Sequence, residues 1–405
     1  MAKASLLQAG LVGVAGLVLF SSPVASQEKP ERFKVTGQVR ARVYVNRFKD
    51  YKKKNEEFIY LRTRLWANGP ISPNLRLSSL FEQKTDDDGD RFRFREAALK
   101  LGDKLSLTAG RQMLSFGAGD QYEFLIGSDK IDVSMDGASL RWNAAPWDVS
   151  LLTFRPSPDS PTRFREQEVY GLYGRYSYAT GNKIDPYLLI RRVKSGEPGA
   201  FSRTNAAGVR WECAGSENWK WVVEGAREWG TYQLTPARQV PLDAFGGYVK
   251  AVYAPPGKAS WKLQYVYLSG DNPGTEGYEG FDPLFNNIRY DWGYLVRPGG
   301  KGDGNGLAEP GGFSILNAGR SWKLDDKTTF SLNVFHFVLQ RPPATGAAAG
   351  QSQYADEVDL DFRHIPAKGV QYRFFVGAGF PGRYLELTKG PNTRWILRPE
   401  VQVSF

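Results

Sequence analysis

From Phe33 onward the chain alternates between oily and wet positions. Phe33, Val35, Val39, Ala41, Val43 and Val45 fall on one face, and Lys34, Thr36, Gln38, Arg40 and Arg42 on the other. A period of two is that of a β-strand with one apolar and one polar side. The scheme repeats with Ile59, Leu61 and Leu65 against Arg62 and Arg64, then with Leu75, Leu77 and Phe81 against Arg76, Ser78 and Glu82. Asn68-Gly69-Pro70 reads as the turn between these two segments. Leu99 and Leu101 oppose Glu96 and Lys100, and Leu105, Leu107 and Ala109 oppose Ser106, Thr108 and Gly110. The glycine-rich run Phe116 to Gln121 breaks the ladder. The chain then returns with Ala138, Leu140 and Trp142 on one face and Gly137, Ser139 and Arg141 on the other.

Further strands are expected near 147–155, 168–178, 183–193, 203–213, 218–230, 244–254, 259–269, 312–322, 328–340, 354–364, 369–378 and 393–405. That makes about eighteen, an even number in the range of bacterial outer-membrane barrels. The connections alternate in length. Asn68–Pro70 and Ala254–Gly257 are short, whereas 46–57, 114–134 and 270–311 are long, as periplasmic turns and extracellular loops would be. Trp142, Trp147, Trp219 and Trp221 stand at strand ends, where an aromatic girdle belongs. The last segment puts Trp395, Leu397, Val401, Val403 and Phe405 on one face. A terminal aromatic on such a strand resembles the signal read by the barrel assembly machinery. The expected fold is all-β: a transmembrane antiparallel β-barrel of about 18 strands.

Composition sharpens this picture at three points. Lys3, the apolar run Leu6–Phe20 and the small residues Ser21 to Ser26 read as a cleaved signal peptide over 1–26, leaving one barrel domain over 27–405. The lone Cys213 excludes an internal disulfide, and two histidines are too few for imidazole metal clusters, so no metal or cofactor is expected. The net charge of +10 points to anionic partners: outer-membrane lipid and lipopolysaccharide, or an anionic solute or polysaccharide. Nucleic acid is not expected.

A strand charge on the lipid face costs roughly 2–4 kcal/mol near the membrane midplane, so strand arginines opposite oily neighbours should point into the lumen. Arg40, Arg42, Arg62, Arg64, Arg111, Arg141 and Arg210 are the candidate lumen cations. Glu96, Asp136, Glu357 and Asp359 are placed on the same path, with Glu82 and Asp361 as further acids that would brace the wall. Lys52-Lys53-Lys54 reads as a solvated tip, Asp86 to Asp90 as an acidic turn, His336 as a wall residue and His364 as a residue near a turn.

Four blocks then carry a likeness to a known family. They are Glu96–Leu101 with Gly110-Arg111-Gln112; Asp120-Gln121 with Ile126-Gly127 and Met135–Ala138; Ser269-Gly270-Asp271 with Phe281–Phe285; and Glu357–Leu360 leading to Phe380-Pro381-Gly382. In this order the chain resembles the alginate-export outer-membrane porins. The resemblance implies an eighteen-stranded, monomeric barrel whose narrow electropositive lumen passes an anionic polysaccharide. The alternatives are a porin for small anions, a sleeve around a partner protein, and an outer-membrane enzyme. The enzyme lacks a recognisable nucleophile motif and is not the expectation.

Overall fold

The computed structural model describes residues 32–49, 54–86, 89–114, 116, 133–158, 167–193, 200–235, 237–257, 259–281, 295 and 312–405. The expected signal peptide, Lys52, Lys53, Asp87, Asp88 and the glycine-rich stretches 117–119 and 299–311 lie outside the described residues.

Eighteen strands follow one another along the chain: β1 (Lys34–Lys49), β2 (Lys54–Ser72), β3 (Leu75–Asp86), β4 (Gly89–Leu101), β5 (Leu105–Gln112) and β6 (Met135–Ala144). Next come β7 (Trp147–Pro156), β8 (Gln167–Ala179), β9 (Asn182–Val193), β10 (Ala200–Ser216), β11 (Trp219–Thr235) and β12 (Arg238–Tyr253). The last six are β13 (Ser260–Leu268), β14 (Phe313–Lys323), β15 (Thr328–Leu339), β16 (Gln353–Ala367), β17 (Val370–Pro381) and β18 (Arg394–Ser404). A short helix, α1 (Arg383–Thr388), lies between β17 and β18.

Every strand pairs antiparallel with the next, and β18 returns to pair with β1, so the sheet closes into a barrel. Closure leaves no unpaired strand edge, which is what lets a sheet exist in lipid. The seam is held in register by Val39 opposite Val403 and Arg42 opposite Glu400. Beyond it Phe405 exchanges two backbone hydrogen bonds with Gly37, of 2.7 and 2.9 Å. The Phe405 ring lies over Gly37 so closely that a Cβ there would come within 2.4 Å of it.

The alternation read from the sequence sets which face is which. Val35, Val39, Ile59, Leu61, Leu107, Leu151, Leu263 and Val401 are all exposed on the outside. The charged positions between them are largely buried inside. Some boundaries move. β2 runs through Asn68-Gly69-Pro70 to Ser72, and the turn is Pro73-Asn74. The register shifts after Pro70, and the Asn68 Oδ1 accepts the Ser79 N–H at 3.2 Å, so a strand end that is already irregular accommodates a residue with no N–H to donate. β1 and β2 also reach further than expected, reducing the 46–57 connection to 50–53.

The start of β1, the end of β18 and the short connections (73–74, 102–104, 145–146, 180–181, 217–218, 254–259, 324–327, 368–369) share one end of the barrel. The longer ones, including 113–134, 157–166, 269–312 and 382–393, share the other. Trp142, Trp147, Trp219, Trp221 and Trp261 are exposed beside the short turns, and Trp211 Nε1 donates to Tyr178 Oη at 2.8 Å in the same belt. In outer-membrane barrels that end is periplasmic.

Candidate functional site

The inner wall sorts into sectors, and one of them is dominated by guanidinium groups. Arg40 and Arg42 on β1 stand beside Arg62 and Arg64 on β2, with Arg40 directly opposite Arg62. The arc continues on both sides, through Arg93 and Arg95 on β4 and through Arg373, Arg394 and Arg398 on β17 and β18. Two carboxylates serve five of these arginines. Glu82 on β3 receives Arg64 at 2.6 Å and Arg93 at 2.7 Å, with Arg95 at 3.8 Å. Glu400 on β18 pairs with Arg42 and lies 3.5 Å from Arg40. Glutamine side chains take part of the rest: Arg40 donates to Gln402 at 2.9 Å and Arg62 to Gln38 at 3.0 Å. Arg398 spreads over the Phe375 ring at 5.0 Å. Burying like charges together is costly unless something negative is shared among them. Among the described residues, arginines outnumber carboxylates in this sector.

A β-bulge enriches it. Phe81 pairs with Phe94 while Leu80 pairs with Glu96, so Arg95 is an extra residue in β4. Both Arg95 and Glu96 then turn inward, and Glu96 accepts a hydrogen bond from Ser78 Oγ. A strand that starts at Glu96, as the alternation of Leu99 and Leu101 suggests, leaves out Arg93 and Arg95. Their signal was the strict alternation Arg91-Phe92-Arg93-Phe94-Arg95, in which the two phenylalanines are exposed on the outer face. Glu400, Arg373 and Arg398 were missed for want of a partner strand in the sequence.

The wall nine strands away holds a second, smaller cluster of shared carboxylates. Arg210 on β10 lies between Glu212 at 2.6 Å and Asp185 at 3.6 Å. Asp185 also holds Arg175 at 2.8 Å, and Glu212 also holds Lys183 and Lys220. Here two carboxylates hold four cations, two of them lysines, and Arg210 braces the wall between Asp185 and Glu212. Arg141 faces inward at the short-turn end, paired with Asp148 at 2.7 Å. Glu357 and Asp359 face inward on β16, and Asp361 beside them takes Arg373 at 2.6 Å and Arg363 at 2.7 Å.

Arg111 and Asp136 are not in the lumen. Arg111 shares its face of β5 with Leu105 and Leu107, and Asp136 shares its face of β6 with Leu140 and Trp142, and all four apolar residues are exposed outward. The pair joins across the outer face at 2.7 Å. Strand parity carries them outward, and their position at the long-loop end lets them sit there, where a charge costs far less than at the midplane. His336 is likewise outward, at 2.7 Å from Asp356.

Connections enter the barrel from the long-loop end. Leu295, in the β13–β14 connection, donates its N–H to both carboxylate oxygens of Glu357 at 2.9 and 3.0 Å. Its carbonyl accepts from Arg394 at 2.9 Å, and its side chain packs on Phe375 and Ile396. The same connection begins with a folded turn. Tyr278 stacks on Tyr232 at 3.7 Å, and the Asp271 Oδ1 accepts the Glu279 N–H at 3.0 Å. Burial holds the Asp271 carboxyl above its ordinary range. Two apolar clusters fill other parts of the interior, one around Phe313, Phe335 and Tyr354, the other around Met135, Phe154 and Tyr187. Among the described residues, no group of His, Cys, Asp or Glu is arranged to hold a metal ion.

The alginate export family model matches residues 32–385. No curated protein sequence matches the chain. Solved barrels share its fold at low identity. OprD from Pseudomonas aeruginosa has a TM-score of 0.62 and 13% identity, covering 94% of this chain and 95% of that one. OccAB4 from Acinetobacter baumannii has a TM-score of 0.62 and 10% identity, with 94% and 100% covered. Pseudomonas aeruginosa OccK2, solved in complex with glucuronate, has a TM-score of 0.60 and 14% identity, with 94% and 99% covered.

Proposed function

The chain belongs to the alginate export family, and from that premise we propose that this outer-membrane channel selects anions and carries carboxylated solutes of the uronate class along its arginine arc. The observation that carries the reading is the sharing of Glu82 and Glu400 among five arginines. Guanidinium groups stay charged at any relevant pH and pair with carboxylates through a two-pronged fork. A row of them replaces part of an anion's hydration, and the acids between them keep each site weak enough for release, as conduction requires. The chemistry is displacement along the row, with no bond made or broken.

The family's description names alginate export, which favours a polymeric uronate as cargo. Diffusion of small anions is the second reading. It is favoured by Leu295, which brings a loop backbone against Glu357 and Arg394 at the edge of the arc. The glucuronate complex of OccK2, a barrel of the same fold, supports a carboxylated sugar in either case.

Single-channel recording of the refolded barrel in a planar bilayer separates these readings. Reversal potentials under a salt gradient report the sign of selectivity, and oligouronate is then added from one side. Anion selectivity with block by the oligomer supports the polymer channel. Anion selectivity without block leaves the small-anion porin, and cation selectivity refutes the arginine-arc reading.

A further inference from the structure

The outer face carries a row of charges that the channel does not use. Going around the barrel from β5 to β10, Arg111 is opposite Asp136, and Asp136 is opposite Arg155. The β7–β8 register reaches Phe154 opposite Val169, which makes Arg155 and Glu168 the next positions in line. Glu168 is opposite Arg192, and Arg192 is opposite Arg203. All six share their strand faces with outward apolar residues such as Leu107, Leu140, Leu151, Leu172, Leu188 and Val209.

The row sits at a definite height. Ten residues separate Asn182, at the short-turn end of β9, from Arg192. At about 3.3 Å per residue and a strand tilt of about 40°, that is roughly 25 Å, the thickness of the apolar band of such barrels. Below it stand Tyr170 and Trp229, with the Arg192 guanidinium 5.6 Å above the Tyr170 ring. The charges therefore lie at the outer-leaflet boundary, where lipid headgroups begin.

Part of the row is satisfied internally. Arg111 grips Asp136 through two hydrogen bonds of 2.7 and 3.1 Å, and Glu168 accepts from Tyr170 at 3.1 Å. Arg155, Arg192 and Arg203 are exposed and, among the described residues, in no ion pair. Arg203 donates only to Asn205, at 3.3 Å. Like charges directly opposite each other across a ladder are destabilising, yet Arg192 and Arg203 face one another on the membrane side. Such a pair is stable when an anion from outside the chain lies between the guanidiniums.

We infer that Arg155, Arg192 and Arg203 form a docking site for the phosphate groups of lipopolysaccharide in the outer leaflet. This rests on the outer-membrane reading above, and its test leaves the channel reading separate. The purified barrel in detergent is titrated with lipopolysaccharide and with the same glycolipid after enzymatic removal of its phosphates. Bound lipid per barrel is counted by native mass spectrometry. The wild type should hold the phosphorylated form at least about tenfold more tightly than the dephosphorylated form. The triple variant Arg155→Gln/Arg192→Gln/Arg203→Gln should lose that preference. Equal binding of the two lipids by the wild type overturns the site, whether or not the variant folds, as does a variant that keeps the preference. Ion selectivity in a bilayer free of lipopolysaccharide is unaffected by these changes, so its failure would count against the channel reading alone.

Discussion

Arg40 offers the cleanest perturbation of the arc, because its removal strands no acid. Glu400 keeps Arg42 as its partner when Arg40 becomes glutamine. The Arg40 side chain is 18% exposed, so its charge reaches the lumen. A monovalent ion passing about 5 Å from the guanidinium in water feels about 0.8 kcal/mol. With a Debye length of about 10 Å in 0.1 M salt, screening lowers this to about 0.5 kcal/mol. Arg40→Gln removes that attraction for an anion and the equal repulsion for a cation. The permeability ratio should thus move by about 1 kcal/mol, or about fivefold toward cations. Reversal potentials across a tenfold salt gradient read this directly. Arg227→Gln is the control, since Arg227 is exposed on the outer face beside Asp243 and should leave the ratio unchanged. A ratio unaltered by Arg40→Gln, or altered equally by Arg227→Gln, would refute the claim that the arc sets selectivity.

Glu82→Gln exposes the cost of the shared counter-ion: Arg64 and Arg93 each lose one buried carboxylate contact, and stability should fall by about 3–5 kcal/mol. The assay is the temperature at which the folded barrel loses its anomalous gel migration; an unshifted transition would mean that the arginines are neutralised elsewhere. Glu357→Ala removes the acceptor of the Leu295 N–H, a charge-assisted contact of about 1.5–3 kcal/mol. Open-channel current noise should therefore rise, and quiet openings identical to wild type would show that the loop is held without it. Gly37→Leu collides with the Phe405 ring and should lower the yield of folded barrel when the purified chain is refolded in detergent, whereas a Phe405→Ala background should relieve the defect. Asp271 carries a raised carboxyl pKa, so its folded turn is most stable below the ordinary aspartate range and weakens as pH rises through the raised value. Hydrogen exchange at the Glu279 amide should accelerate across that window, and Asp271→Asn, which keeps an acceptor without the charge, should flatten the dependence.

Much of this architecture is legible in the order of residues. Alternation is a local property, so Val39, Arg40, Ala41 and Arg42 declare their faces without reference to any other strand. The same rule applied to Leu105, Leu107, Ala109 and Arg111 already carries Arg111 outward; assigning it to the lumen set aside its own parity. The Arg-Phe alternation of β4 was equally readable. The bulge was not, because an extra residue is defined only against the partner strand.

Local spacing along the chain is enough for the period, the approximate count of strands, the oily outer surface and the charged inner one. The tertiary structure decided which charges meet. Glu400 joins Arg40 and Arg42 only because β18 closes on β1, and Glu82 gathers Arg64 and Arg93 through two separate registers. The Leu295 N–H meets the carboxylate of Glu357, which lies on β16 far along the chain. Arg192 meets Arg203 because the β9–β10 register sets them opposite one another. Face is written in the spacing of neighbouring residues, whereas register and closure arise from pairing between strands far apart in the chain, where a shift of one residue would exchange every partner.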